Sequence, residues 1–253
     1  MHVFGLTDIG QLRSQNQDAI FFHKTQIGPL PNLFIVADGM GGHKAGEIAS
    51  TKAIEFLKKY ICDFKVPEIV LPENYLDLLV TAVQDTNRKV CEMGENNPEM
   101  QGMGTTLTAC VITDDKIMIA HVGDSRAYSF ANGKLNQLTN DHSYVEQMVQ
   151  SGQLTAAEAL THPKRNMLTR VLGMSESFEV DGLTLPLKGI ESVLLCSDGL
   201  TNMLKDSLIE SIVSGTDFVE HRTKFLIEEA NSRGGHDNIS AVLIDIRRQG
   251  EQT

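Results

Sequence analysis

Apolar residues in this chain gather into short unbroken runs that stop at an acid. Leu33-Phe34-Ile35-Val36-Ala37 runs into Asp38-Gly39, and Val193-Leu194-Leu195-Cys196 runs through Ser197 into Asp198-Gly199. Ile117-Met118-Ile119-Ala120-His121-Val122-Gly123 ends at Asp124. A fourth segment reverses the order, with Gly234-Gly235-His236-Asp237-Asn238 leading into Ile239-Ser240-Ala241-Val242-Leu243-Ile244. Apolar runs of this length beside turn residues read as buried strands. Four aspartates far apart in sequence thus fall where strands meet loops.

Helical spacing appears between these runs. Ala49, Ala53, Phe56, Leu57 and Tyr60 share one helical face, and Leu76, Leu79, Val80, Val83 and Val90 repeat the signal over 76–93. The first 38 residues read as strands and turns. A β meander is expected at 105–112 and 117–122, with a further strand at 127–130 and a hairpin turn at Asn132-Gly133. Residues 139–173 are more polar, carry short helical pieces at 143–151 and 155–160, and resemble an inserted flap. Strands at 178–187 and 191–197, a helix at 218–231 stopped by Gly234-Gly235, and a strand at 239–246 complete the pattern. Strict βα alternation is absent, so the class is α+β, with antiparallel sheet packed by helices. No repeat, low-complexity tract or linker interrupts the chain, which predicts a single domain over 1–253.

Charge narrows the partners. The net charge is −11, without a block of Lys and Arg, which disfavours nucleic acid and anionic membranes as partners. No apolar stretch approaches the roughly 18–20 residues of a membrane span, and the N-terminus lacks the features of a signal peptide. The four cysteines, Cys62, Cys91, Cys110 and Cys196, form no Cys-x-x-Cys pair; free thiols in a reducing, cytoplasmic setting are expected. No Cys-x₅-Arg stretch marks a cysteine nucleophile.

An isolated Asp-Gly is as much a turn signal as a ligand. The set shifts the balance: Asp18, Asp38, Asp124, Asp198 and Asp237 all lie beside apolar runs or glycines with little local positive charge. Gathered at one rim they would repel one another unless a cation intervened. Oxygen ligands without thiolates suit Mg²⁺ or Mn²⁺. The cluster from Gly39 to Gly46 fails the dinucleotide fingerprint at Lys44 and lacks the Gly-Lys-Ser/Thr of a P-loop. Gly39, without a Cβ, could instead turn its carbonyl onto a metal beside Asp38. Ser125 in Gly123-Asp124-Ser125 raises a serine esterase, but no aspartate has a histidine three residues on. His43 is by default a solvated loop residue and could protonate a leaving group. Arg13 is by default a surface charge and could clamp a phosphate.

These segments together resemble the metal-dependent protein serine/threonine phosphatases of the PPM (PP2C-like) family in their compact bacterial form. The matching pieces are Arg13-x-x-Asn16-Gln17-Asp18, Val36 to His43, Gly104-Thr105-Thr106, His121 to Arg126, Cys196 to Leu200, and Gly235-x-Asp237-Asn238-Ile239-Ser240. They follow the family's order from about residue 5 to 246. The resemblance implies a central antiparallel β-sandwich flanked by pairs of α-helices, a four-layer αββα fold. It implies two Mg²⁺ or Mn²⁺ ions bridged by Asp38, with Asp198 and Asp237 on one, the Gly39 carbonyl on the other, and Asp18 acting through metal-bound water. Asp124 with Asp198 matches a weaker third-metal site. Gln17 stands where some members carry glutamate, and no metal role is assigned to it.

The activity implied is hydrolysis of phosphoserine and phosphothreonine in proteins by a metal-activated water, without a phosphoenzyme. Arg13 would hold phosphate and His43 protonate the leaving oxygen. Phosphoprotein substrates, an opposing Ser/Thr kinase, a monomeric state and the flap at 139–173 as a border of the cleft belong to the same expectation. The alternatives are a narrow regulator of an anti-sigma antagonist, a non-catalytic phosphoprotein-binding module, and a metal-dependent phosphodiesterase. The intact acid cluster disfavours the module, and the acidic surface disfavours the phosphodiesterase.

Overall fold

Every residue of Leu33–Ala37 is buried, and alternate residues serve two different cores. Leu33, Ile35 and Ala37 join the core beneath helices α1 (Ala45–Asp63) and α2 (Tyr75–Asn96). Phe34 and Val36 face the opposite way, into a core between two sheets. Val193 and Leu195 enter that same inter-sheet core, whereas Leu194 and Cys196 pack toward a second set of helices. A strand covered on both faces has no polar side, so these runs are continuous rather than alternating.

The structure, a computed structural model, describes residues 1–42, 44–64, 71–175 and 179–246. The strands are β1 (His2–Asp8), β2 (Asp18–His23), β3 (Leu33–Met40), β4 (Gly104–Thr105), β5 (Leu107–Ile112), β6 (Lys116–Val122), β7 (Arg126–Ala131), β8 (Lys134–Gln137), β9 (Asp181–Pro186), β10 (Ile190–Cys196) and β11 (Ile239–Asp245). One sheet has the order β1-β11-β10-β7-β8, and the other β2-β3-β5-β6-β9 with β4 beside β3. All pairings are antiparallel. Helices α1 and α2 cover the second sheet, and α6 (Asp206–Val213) and α7 (Val219–Ser232) cover the first. The result is the expected four-layer αββα sandwich. Residues 139–173 hold α3 (Tyr144–Gln150) and α4 (Ala156–Thr161). Ser143 caps the first, and a reciprocal Thr155–Glu158 capping box opens the second.

Most expected elements lie within a few residues of their observed bounds. Asn132 (φ 53°) and Gly133 (φ 75°) make the hairpin turn with both residues left-handed. Three readings need correction. Helix α6 is not among the expected elements; Leu208, Ile209, Ile212 and Val213 do share one face, but it spans only eight residues and has no side-chain cap to mark its start. The strand expected over 178–187 is observed only at Asp181–Pro186, on the sheet edge, and residue 178 lies outside the described residues. Finally, Asp198-Gly199 is not a simple strand-exit turn but opens the short helix α5 (Asp198–Thr201).

Gly199 has a steric reason to be glycine. A Cβ there would sit 2.0 Å from the carbonyl oxygen of Asn238, so the segment after β10 and the segment before β11 touch backbone to backbone. Gly199→Ala must push them apart and is expected to cost about 2 kcal/mol or more. Urea unfolding checks this; an unchanged midpoint would contradict it.

Candidate metal centre

The sandwich brings the strand-end acids to one rim. Asp18 opens β2 and is the register partner of Asp38 near the end of β3. Asp124 lies in the turn from β6 to β7, where the chain crosses between the sheets. Asp198 follows β10, and Asp237 precedes β11, its antiparallel neighbour. Each sheet therefore contributes carboxylates to a common end. Sequence separation is irrelevant here, because antiparallel pairing returns the chain to the same edge.

Their electrostatics show how closely they meet. Burial pushes Asp38 well above the ordinary carboxylate range, and the charges of Asp18, Asp198, Asp124 and Asp237 push it further. Asp18 is pushed up to about 7, first by burial and then by Asp198 and Asp237, against the pull of hydrogen bonds from Ser240 and Ser197. Asp124 is raised by burial, Asp198 and Asp141; Asp198 is raised by burial and Asp237.

The surrounding backbone fixes these acids in place. Asp38 donates its N–H to Thr106 Oγ1 at 2.9 Å, and its carbonyl accepts from Thr106 N at 2.8 Å and Thr105 Oγ1 at 2.9 Å. The turn carrying Asp124 is held by His142, whose N–H donates to the Gly123 carbonyl at 2.7 Å and whose Nδ1 accepts the Gly123 N–H at 3.1 Å. Gly123 has φ 110° and lies against Thr106. Asn238 accepts from Gln17 N and donates to the carbonyls of Ile9 and Gln15 at 2.8–2.9 Å, which locks the loop that carries Arg13. Gly39 is tightly enclosed: a Cβ would lie 2.0 Å from the Gly46 carbonyl and 2.5 Å from that of Gln17.

Arg13 reaches the rim and donates to Asp237 Oδ2 at 2.7 Å. The guanidinium thus stands among the acids with about half its side chain exposed. His43 lies outside the described residues. Ser125 is fully buried, and its hydroxyl is 2.7 Å from that of Thr106, so it offers no accessible nucleophile. Cys196, the cysteine nearest the acids in sequence, is buried and pushed up to about 12, far from a reactive thiolate.

Among the described residues, no group of three or more His, Cys, Asp or Glu side chains is arranged to hold an ion as it stands. The neighbours explain this. Arg13 occupies one oxygen of Asp237, and Asn202 Nδ2 donates to Asp198 Oδ2 at 3.0 Å. The residues nevertheless fit a hard cation. Asp18 Oδ1 and Asp198 Oδ1 are buried and meet no donor, the donor set is all oxygen, and Mg²⁺ needs only one or two carboxylates because it keeps several waters.

A cavity of about 920 Å³ opens over this rim. Arg13, Asp124, Asp198 and Asp237 line it together with Val145 and Leu160. A family profile described as Protein phosphatase 2C matches residues 11–243, which include every acid of the rim. The chain belongs to the protein phosphatase 2C family. The serine/threonine phosphatase stp of Listeria welshimeri is 36% identical over 247 residues, covering 97% of this chain and 96% of that protein. The crystal structure of Stp1 from Staphylococcus aureus matches with a TM-score of 0.90 at 33% identity, over 97% of this chain and 95% of that one. The catalytic domain of the phosphatase PstP, crystallised with 2 manganese ions, matches with a TM-score of 0.81 at 31% identity, over 96% and 97% of the two chains.

Several residues that order this protein phosphatase 2C rim carry no role in the sequence reading. Thr106, Ser197, Asn238 and Ser240 lie inside its motifs, but their work is to bond neighbours distant in sequence. Arg126 likewise grips Asp141 through Nε–Oδ1 at 2.8 Å and Nη2–Oδ2 at 2.6 Å. Only the fold reveals these partners.

The raised carboxylates set a pH dependence. A carboxyl group whose folded pKa is raised contributes stability below its unfolded value near 3.9, and this is lost as pH rises through the folded value. For Asp18 that interval ends near 7. His121 and His142, held low by burial, act only below about pH 6.5. Chelated protein should therefore lose about 1 kcal/mol, or roughly 3 °C of Tm, as pH rises from about 6.5 to 7.5. Asp38→Asn should flatten this slope; a wild-type Tm that rises over the interval would refute the assignment.

Proposed function

We propose that the aspartate rim is the catalytic centre of a metal-dependent protein serine/threonine phosphatase. The chain hydrolyses phosphoserine and phosphothreonine esters in proteins. The observation that carries the assignment to this rim is the crowding of Asp38 by four other aspartates in a donor set of oxygen alone. Such a cluster stores repulsion that serves no purpose without a cation.

Asp38, beside Asp18 and Asp198, would be the central ligand of a site for Mg²⁺ or Mn²⁺ ions. Asp198, Asp237 and the Gly39 carbonyl would complete the protein ligands, and Asp18 would support them. Asp124 with Asp198 would hold a weaker third ion. Bound at this rim, divalent ions lower the pKa of water toward neutrality and neutralise phosphoryl charge. Arg13 stands at the mouth of the cavity, where its forked donors can leave Asp237 for phosphate oxygens. His43 is assigned the proton that the departing seryl or threonyl oxygen must take up. No protein nucleophile is used, in keeping with the buried Ser125 and the raised Cys196 thiol.

Residues 139–173 border the cavity through α3 and α4 and are read as the flap that influences substrate choice. No described helix is long and apolar enough to cross a membrane. A cytoplasmic monomer that opposes a Ser/Thr kinase is the setting we assign.

The purified protein with Mn²⁺ should release phosphate from phosphoserine and phosphothreonine peptides, and a chelator should stop it. Asp38→Asn should abolish turnover, since it removes a shared charge from both ions; a fully active variant would sink the mechanism. Arg13→Ala should raise KM by about tenfold, the value of one charge-assisted hydrogen bond. An unchanged KM would remove Arg13 from phosphate binding.

A further inference from the structure

Three polar residues of the sequence motifs, Asn16, Ser197 and Ser240, have no direct part in hydrolysis, yet they converge on Asp18. Ser197 follows β10 and Ser240 lies in β11, both in one sheet, while Asp18 opens β2 in the other. Both serine hydroxyls donate to the same oxygen, Asp18 Oδ2, at 2.7 Å each. The Ser197 oxygen accepts the Ser240 N–H at 2.9 Å, which leaves the Ser197 proton for Asp18. The Ser240 hydroxyl also lies 2.8 Å from Thr7 Oγ1, and that oxygen accepts Asn16 Nδ2 at 2.9 Å. The Asn16 side-chain carbonyl in turn accepts the backbone N–H of Asp18 at 3.1 Å. The circuit begins and ends on Asp18.

Its consequence is directional. Asp18 Oδ2 is engaged by two neutral donors that cross the sandwich. Asp18 Oδ1 is buried and meets no donor. The side chain is 8% exposed, so water does not compete freely for either oxygen. We infer that Ser197 and Ser240 are positioning residues of the metal centre: they clamp one oxygen of Asp18 across the two sheets and thereby present the other to the ion site. The inference rests on the reading of Asp18 as a residue of that centre. Loss of hydrogen-bonding partners behind a metal ligand typically weakens metal affinity about 10–100-fold.

The test compares Mn²⁺ binding, followed by the electron paramagnetic resonance of free Mn²⁺, in five proteins. These are the wild type, Ser240→Ala, the double variant Ser197→Ala/Ser240→Ala, Ser240→Thr and Asp18→Asn. The double variant should bind Mn²⁺ about tenfold more weakly or worse, while Ser240→Thr, which retains the hydroxyl, stays within about twofold of wild type. At saturating Mn²⁺ the phosphopeptide KM of the double variant should be unchanged, which a general loosening of the cleft would not leave intact. Wild-type Mn²⁺ affinity in the double variant, with Asp18→Asn weakened, would overturn the inference. So would equal affinities for Ser240→Ala and Ser240→Thr. Wild-type affinity in Asp18→Asn would instead remove Asp18 from the metal centre. Thermal melts in chelator identify any variant that does not fold; Ser197→Ala alone then provides the same comparison.

Discussion

The structure is organised around one electrostatic constraint: several carboxylates held together at the end of a β-sandwich, where burial and mutual repulsion both oppose their charge. Asp38 is raised by its burial and by four acidic neighbours, and Asp18 by burial and two. Proteins ordinarily relieve such a cluster with Arg or Lys. Here, among the described residues, Arg13 pairs with Asp237, and Arg126 is turned to Asp141. On the proposed reading, the remaining charge is what bound cations would neutralise.

Such a cluster needs a rigid frame, because repelling groups separate whenever the backbone permits it. The sandwich supplies that frame through backbone contacts that exclude even a methyl group. Gly199 lies against the Asn238 carbonyl, Gly39 against Gly46 and Gln17, and Gly10, at φ 79°, against the Asp237 carbonyl. Neutral donors then set the orientation of the acids. Thr106 holds the backbone of Asp38, Asn238 anchors the loop before Asp18, and Ser197 and Ser240 take one Asp18 oxygen. Neutral groups suit this task, since they direct a carboxylate without cancelling the charge that an ion requires.

The same rim lines the cavity, so on the proposed reading substrate and ions would share a boundary. His142, at the start of the segment bearing α3 and α4, exchanges two hydrogen bonds with Gly123 beside Asp124. One residue earlier, Asp141 is gripped by Arg126 at the base of β7. The segment over the cavity is therefore anchored to the strands that carry the acids.

The sequence by itself determined the strand ends and the acids upon them. A strand buried on both faces must be apolar throughout, and a carboxylate that terminates it stands out against that background. It also placed the hairpin at Asn132-Gly133, where the turn demands left-handed backbone, and the amphipathic α1 and α2. Short α6 lacked both length and cap, and the edge position of β9 blurred its bounds. The family resemblance supplied the sandwich, which no local pattern encodes. Tertiary structure alone decided which neutral side chain serves which acid, that Arg13 meets Asp237, and why Gly199 must be glycine. Those facts depend on distances between segments more than two hundred residues apart, set by how two sheets pack, and hydrophobic patterning along one chain carries no record of them.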